Sequence, residues 1–400
     1  MMLTVLFWSA VALVIYTYAL FPVLLLVRGR LLRRPFDAAD CLPSASMIIV
    51  AHNEEASIGR KLDNLLALDY PRDQLKVIVA SDGSTDQTNA IVAGYADRGI
   101  ELLALDRQGK IPCLNAAVAQ AKGEILLFSD ANSMYEANAV RRLVRPFADP
   151  RVGGVAGDQR YQKKKTGEAN SGERAYWNFD RMLKEAESAA GNTISATGAI
   201  YAIRRSLFQT VPPGVTDDFT ASTAVIEQGY RLVFARDAVA WEPAAKESGV
   251  EFGRKVRVIT RGFRSLIARR RLFNPLRHGF YSLQLLSHKL LRRLVFVPLV
   301  VLLVTSLLLG TNSKFFAAVF AVQTVFYGCA ALGWLLGRSR LAASKALAIP
   351  FYFCMVNFAS LLALLNLVRG RRIDLWEPQR QSSGPPAMRL GMAVVTEEQR

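Results

Sequence analysis

What most restricts the fold of this 400-residue chain is the clumping of its apolar residues. Leu3–Val27, Leu294–Gly310, Phe315–Leu336 and Ala346–Val368 are almost free of charge, and one long polar stretch separates the first of them from the second. A helix of about 20 such residues spans the roughly 30 Å hydrocarbon core of a bilayer. The pattern therefore predicts a polar domain with membrane helices on both sides: an anchor at 1–30, C-terminal transmembrane helices at 294–368 and a tail at 369–400. The first apolar run has no basic leader and no clear small-residue cleavage site, and Arg28, Arg30, Arg33 and Arg34 follow it, so it reads as an uncleaved anchor.

The positive-inside rule puts those arginines and the polar domain in the cytoplasm, with Met1 outside the inner (plasma) membrane. Arg292 and Arg293 before the second run agree, and Arg338, Arg340 and Lys345 suit a cytoplasmic turn. Three further crossings would then leave the basic stretch Arg369–Arg372 outside, against the rule. Either that stretch is external or one segment does not cross, and the suspect is Ala346–Val368, because Pro350, Asn357, Ser360 and Asn366 suit an interfacial or re-entrant path.

The net charge of +17 is concentrated. Between Arg254 and Arg293 lie twelve Lys and Arg and no acid. Directly before a membrane helix such a stripe meets anionic headgroups, each charge contributing about 1 kcal/mol near the surface, so membrane lipids are expected partners and nucleic acid is not. Phe252, Val256, Ile259, Phe263, Leu266 and Ile267 recur at helical spacing among these charges, which predicts a basic amphipathic interfacial segment over 251–293. Cys41, Cys113, Cys329 and Cys354 show no paired spacing and read as reduced core residues.

Within 44–250, strand and helix patterns alternate: strands at 45–51, 75–80, 100–104 and 124–129, and helices at 55–68, 86–97, 110–121 and 137–147. That alternation argues for βαβ crossovers and a mostly parallel sheet. Less regular strands near 152–156, 198–203 and 230–235, with helices near 168–187 and 217–228, extend it as a mixed sheet. Glu54, Asp82 and Asp130 each follow a short apolar run, which places them on the carboxyl edge, where open α/β sheets bind ligands. Each acid taken alone could merely cap a helix or a turn. Together, with Lys110 and Asn115 opening a helix nearby, they suit gripping a nucleotide and holding a divalent metal through Asp130.

The runs VAHNE (50–54), ASDGSTDQT (80–88), KIPCLNAA (110–117), FSDAN (128–132), ATGAIYAIRR (196–205) and TDDF (216–219) resemble, in order and spacing, the family-2 glycosyltransferases of GT-A fold. SHKLLRRLVF (287–296) and the flanking apolar runs fit the membrane-embedded branch that includes hyaluronan, chitin-oligosaccharide, cellulose and poly-N-acetylglucosamine synthases. The resemblance implies that Glu54 and Asp82 contact the base, usually uracil, and that Lys110 and Asn115 lie beside the nucleotide. It implies that Asp130 begins a D-x-D motif, here completed by Asn132, holding Mg²⁺ or Mn²⁺ against the donor. An amide oxygen ligates such ions without adding charge, so weaker metal binding is expected. In TDDF, Asp218 matches the general base, with Asp217 beside it raising its pKa toward working pH. RKVRV (254–258) aligns with Q-x-x-R-W; it keeps Arg257 for the diphosphate but has Arg254 and Val258 for the glutamine and tryptophan, which counts against long-chain processivity.

The expected function is an inverting hexosyl- or N-acetylhexosaminyl-transferase, using a nucleotide-diphosphate sugar and a saccharide or lipid-linked acceptor at the cytoplasmic membrane face, in exopolysaccharide or oligosaccharide synthesis. The alternatives are a single transfer to polyprenyl phosphate, which needs no base, and a catalytically inactive membrane-tethered nucleotide sensor, suggested by Asn132 and Val258. Trp177 and Trp241 are candidate acceptor-side aromatics, and His52, His278 and His288 are assigned no chemistry.

Overall fold

The structure, a computed structural model, describes residues 1–161, 171–243 and 248–371 apart from 338, 340 and 343, with backbone alone at 171–178 and 248–251. An eight-stranded sheet carries the polar segment, in the order β3-β2-β1-β4-β7-β6-β8-β5. Its first half is parallel: β1 (Ala45–Ala51) lies between β2 (Leu75–Asp82) and β4 (Ile125–Asp130), and β3 (Ile100–Leu105) extends the edge. All seven residues of β1 are buried, which is why the strand reads as a continuous apolar run. Successive side chains serve opposite faces. Met47 and Ile49 pack with Ile58, Leu62 and Leu65 of the helix Glu55–Leu66, whereas Ile48 and Val50 pack with Cys113, Leu114 and Ala117 of the helix Lys110–Gln120.

The second half is mixed. β7 (Tyr201–Arg204) inserts antiparallel between β4 and β6 (Val152–Tyr161), while β8 (Arg231–Glu242) runs parallel to β6 and carries the two-residue β5 (Met134–Tyr135) on its far side. Two expected helices are shorter than the sequence pattern suggested. The one over 86–97 is Thr88–Ala93 with a 3₁₀ turn at Ala96–Arg98, ended by Gly99 at φ 84°. The one over 137–147 is Ala139–Val144 followed by a 3₁₀ turn at Arg145–Ala148, where Pro146 has no N–H to give.

The basic segment departs from the single membrane-lying helix expected over 251–293. It comprises a helix Ser248–Ala268, a 3₁₀ turn Arg270–Phe273, a short helix Pro275–His278 and a helical stretch Phe280–Leu294, with the break at Gly279 at φ 56°. Phe263 and Leu266 join Leu272, Tyr281 and Leu285 in the same apolar cluster as the sheet, so much of the amphipathic face is covered by protein rather than lipid.

Among the described residues, Met2–Leu31, Lys314–Leu336 and Lys345–Val368 are long and apolar enough to cross a membrane, and Phe280–Leu294 with Phe296–Gly310 forms a pair bent by 52°. The first helix meets the start of Lys314–Leu336 through Phe7 and Phe316, whose ring centroids are 4.9 Å apart. At its other end Phe21 and Leu25 pack on Leu183 and Ala190 of the helix Ser171–Ala190. The last helix returns to the domain: Ala363 lies in the sheet's cluster, and Arg264 Nη2 donates to the carbonyls of Gly370 (3.1 Å) and Arg371 (2.6 Å). Arg338, Arg340 and Arg372, which entered the orientation argument, lie outside the described residues, as does the tail beyond Gln381.

Candidate active site

Parallel register decides which side chains meet. Val50 of β1 pairs with Asp130 of β4 and with Ala80 of β2, so the loop holding Glu54, the end of β2 at Asp82 and the end of β4 at Asp130 emerge on one edge. Across that edge stands the helix Asp217–Glu227, whose first two residues are Asp217 and Asp218.

Lys110 joins the two sides. Its Nζ lies 2.9 Å from Asp130 Oδ1 and 3.1 Å from Asp217 Oδ2. Burial alone would lower its pKa, but the two carboxylates outweigh it and hold the ammonium above its usual range. Asp218 receives no such pairing. Burial first and Asp217 second push its carboxyl up to about 6, against Lys110 and the N–H of Phe219, which donates to Asp218 Oδ1 at 2.7 Å. The raised proton affinity of Asp218 is the condition for it to work as a base near neutral pH.

Other expected site residues sit at the edge with their polar atoms engaged by the protein. Asp82 has a fully buried side chain; Oδ1 accepts from the N–H groups of Gln108 (2.7 Å) and Gly109 (2.9 Å), and Oδ2 accepts from Arg107. Burial raises its pKa, but those backbone donors and Arg107 prevail and the net shift is downward. Asn115 exchanges two hydrogen bonds with the backbone of Val211, at 2.9 and 3.0 Å. Glu54 stands at the N-terminus of its helix and accepts from Ser57 Oγ at 2.5 Å; burial raises its pKa, with Asp130 adding to the rise. The preceding loop is locked, with Asn53 at φ 53°, its Oδ1 accepting from Thr85 N at 2.8 Å, and His52 Nδ1 donating to the Asp82 carbonyl at 2.7 Å.

Several residues that sequence reasoning passed over belong to this site. Lys61, fully buried, donates to Ser129 Oγ (2.8 Å) and to the Ser133 carbonyl, bracing the turn that presents Asp130 and Asn132; burial brings its pKa down to about 7. Glu242, at the end of β8, accepts from Ser133 Oγ (2.7 Å) and Gln159 Nε2 (2.5 Å) on the far side of that turn. Tyr201 stacks on Phe128 at 4.5 Å and lies close enough to Asp217, Asp218 and Asp130 to feel their charge, with a buried hydroxyl that has no partner. Lys289 reaches the same region and sits 5.7 Å from the ring of Phe219. The only sequence hint was that Tyr201 and Lys289 fall inside the quoted runs ATGAIYAIRR and SHKLLRRLVF.

A hard divalent cation fits the turn. Asp130 keeps about a third of its side-chain surface open, no hydrogen bond engages Asn132 among the described residues, and a Cβ on residue 198 would lie 2.9 Å from Asp130 Oδ2, so Gly198 leaves that oxygen its space. Among the described residues no three His, Cys, Asp or Glu side chains form a metal-holding group. Two oxygen donors without a third suit an ion of the Mg²⁺ type, which keeps waters and shares substrate phosphates. Arg257 lies on the helix Ser248–Ala268, which is tied to the Asp217–Asp218 loop because Thr216 N donates to Ser265 Oγ at 2.8 Å. Trp241 donates from Nε1 to Glu136 at 3.0 Å, and the side chain of Trp177 lies outside the described residues.

The parallel-then-mixed sheet flanked by helices is a GT-A-like fold. Residues 46–211 match the model of glycosyl transferase family 2, and the chain carries a family 2 glycosyltransferase domain. It is 23% identical over 284 residues to the poly-beta-1,6-N-acetyl-D-glucosamine synthase of Staphylococcus aureus (strain COL), spanning 69% of this chain and 68% of that one. It is 28% identical over 217 residues to the probable glycosyltransferase YdaM of Bacillus subtilis (strain 168), covering 50% and 51% of the two chains. In fold it is similar to a mannosyltransferase from Pyrobaculum calidifontis solved in complex with GDP-Man and Mn²⁺, with a TM-score of 0.70, 24% identity, and coverage of 92% of this chain and 100% of that one.

Proposed function

We propose that this protein is an inverting glycosyltransferase that moves a sugar from a nucleotide-diphosphate donor, with UDP-sugars as the first choice, to a hydroxyl acceptor at the cytoplasmic membrane face. The observation that supports the reading is Lys110 bridging Asp130 and Asp217 at 2.9 and 3.1 Å, so that the donor-side acid and the Asp217–Asp218 pair share one cation. Asp130 and Asn132 would hold Mg²⁺ or Mn²⁺, and that ion would neutralise the donor's diphosphate. Glu54 lines the nucleotide side, while Asp82 and Asn115 shape it through the 107–110 and 211 backbone rather than by direct contact.

Asp218 takes the proton of the acceptor hydroxyl as the oxygen attacks the anomeric carbon; the C–O bond to the diphosphate breaks with its electron pair leaving on the phosphate. A single displacement inverts the configuration. Arg257 faces the departing charge in this reading, since a guanidinium forks onto phosphate oxygens. The relationship to a polysaccharide synthase supports a saccharide acceptor. The test is diphosphonucleoside release from a panel of UDP- and GDP-sugars by the membrane-reconstituted protein with Mg²⁺ or Mn²⁺. Release from none of them removes the proposal and favours the nucleotide sensor.

A second reading has one observation in its favour. Lys289, near Asp218, and Arg293, 5.7 Å from the ring of Phe263, form no ion pair or hydrogen bond among the described residues; both lie on the first helix of the bent pair, Arg293 beside its break. Cations so placed suit a phosphate-bearing lipid acceptor, which is already ionised and needs no base. An Asp218→Asn variant that keeps the full rate would select that reading.

A further inference from the structure

Away from the cleft, at the root of the first helix, lies a hollow of about 320 Å³. Its walls come from three places: the last turns of Met2–Leu31, the end of the helix Ser171–Ala190, and the stretch 275–284 that leads into the bent helix pair. Arg28, Arg34, Arg277 and His278 line it, and among the described residues no acid does. Arg28 stacks over the ring of Phe280 at 4.3 Å, and its Nε is buried without a hydrogen-bond partner. His278 Nε2 is buried and unpartnered in the same way. Glu227, an acid near His278, is taken by Arg269 at 2.7 Å. Beside the opening Leu276 is 97% exposed.

A buried guanidinium N–H that finds no acceptor is unfavourable, and three arginines with no acid among the described lining residues repel one another. Both costs vanish if an oxyanion enters. Arginine prefers phosphate among the oxyanions because its fork matches two phosphate oxygens. A volume near 300 Å³ sits at the low end of small-ligand pockets and holds a phosphodiester with a small polar group. The position adds the second half of the description. Two of the three walls are ends of candidate spans, beside the arginines that close the first helix, and basic pockets between such helices bind anionic headgroups.

We propose that this hollow is a binding site for the phosphate of an anionic phospholipid, with Arg28, Arg277 and His278 on the phosphate oxygens and Leu276 against the acyl region. Occupancy would tie the first helix to the 275–284 stretch. The same phosphate chemistry could be supplied by a soluble phosphate, and the test separates the two.

The full chain is purified in detergent and titrated, by native mass spectrometry, with phosphatidylglycerol, with phosphatidylcholine, and with inorganic phosphate. Phosphatidylglycerol is expected to bind about tenfold more tightly than phosphatidylcholine, and Arg277→Gln and Arg28→Gln are each expected to erase most of that difference. Arg277 is exposed, so its variant remains informative where Arg28→Gln fails to fold. Inorganic phosphate binding as well as the lipid, with loss in both variants, would overturn the lipid source and leave a soluble-phosphate site. Equal binding of the two lipids by the unaltered chain, or a preference untouched by both substitutions, would overturn the site.

Discussion

At Asp218 the surroundings and the chemistry can be set side by side. Its native pKa of about 6 lies above the usual value of roughly 3.9, so the folded chain holds a proton that the unfolded chain has already lost across that window. Ionisation of Asp218 therefore lowers stability as pH rises from about 4 to 6, by on the order of 3 kcal/mol in full. Asp218→Asn is expected to raise the thermal midpoint at pH 7.5 while cutting turnover 10²–10⁴-fold. The unaltered enzyme should gain rate tenfold per pH unit below about 6 and level off above it. A pH profile unchanged by the substitution would show that another group takes the proton. Gly198 offers a second residue-scale test. A methyl group there meets Asp130 Oδ2 at 2.9 Å, so Gly198→Ala is expected to raise the metal concentration for half-maximal activity at least tenfold with little change in thermal midpoint. Asp130, Asp218 and Lys110 were legible in the sequence because each sits at the end of a recognisable strand or the start of a helix. The engaged state of Asp82 and Asn115 was not, since their partners at 107–109 and 211 are fixed by folding and not by spacing. Lys61 was hidden for a similar reason: its i, i+3 and i+4 neighbours say nothing of Ser129 and Ser133, which lie across the sheet edge.

At the scale of elements, the four parallel strands could be read because burial on both faces writes an apolar run into each. β7 was expected only approximately, near 198–203, and β5 was not expected at all. The first is four residues long and enters antiparallel between strands distant in sequence, and the second exists only through its pairing with Ala240 and Trp241. The helix Ser248–Ala268 misled in a different way: its periodic apolar face is real, but the domain's own core and the last helix cover much of it. That helix is coupled to the cleft through Ser265 Oγ, which accepts from Thr216 N one residue before the acid pair. Ser265→Ala leaves that buried N–H without its acceptor, at a cost of about 1–3 kcal/mol. The expected result is a lower thermal midpoint together with a fall in kcat larger than any change in donor KM; a purely structural role would lower the midpoint and leave kcat intact.

For the whole molecule, the charge rule and the last helix bear on one question, the side on which the tail lies. Counting crossings left Arg369–Arg372 on the wrong side unless Ala346–Val368 failed to cross. The last helix, itself long and apolar enough to cross a membrane, packs Ala363 in the domain's apolar cluster and has Arg264 on the carbonyls of Gly370 and Arg371. In sealed vesicles, cysteines introduced by Asp73→Cys on the domain and Arg371→Cys at the tail are expected to react with an impermeant maleimide in the same vesicle orientation, above the background of the native cysteines. Opposite orientations would mean that the last helix crosses.

The central claim is that Asp130 and Asp218 serve one donor–acceptor cleft in different roles. It is tested most directly by measuring, on the same reconstituted samples, Mn²⁺-dependent binding of a UDP-sugar by calorimetry and release of UDP in turnover. Asp218→Asn should bind donor as the unaltered chain does and release almost no UDP, whereas Asp130→Asn should lose donor binding itself. Donor binding that survives Asp130→Asn, or vanishes with Asp218→Asn while Asp130→Asn stays active, would contradict the assignment.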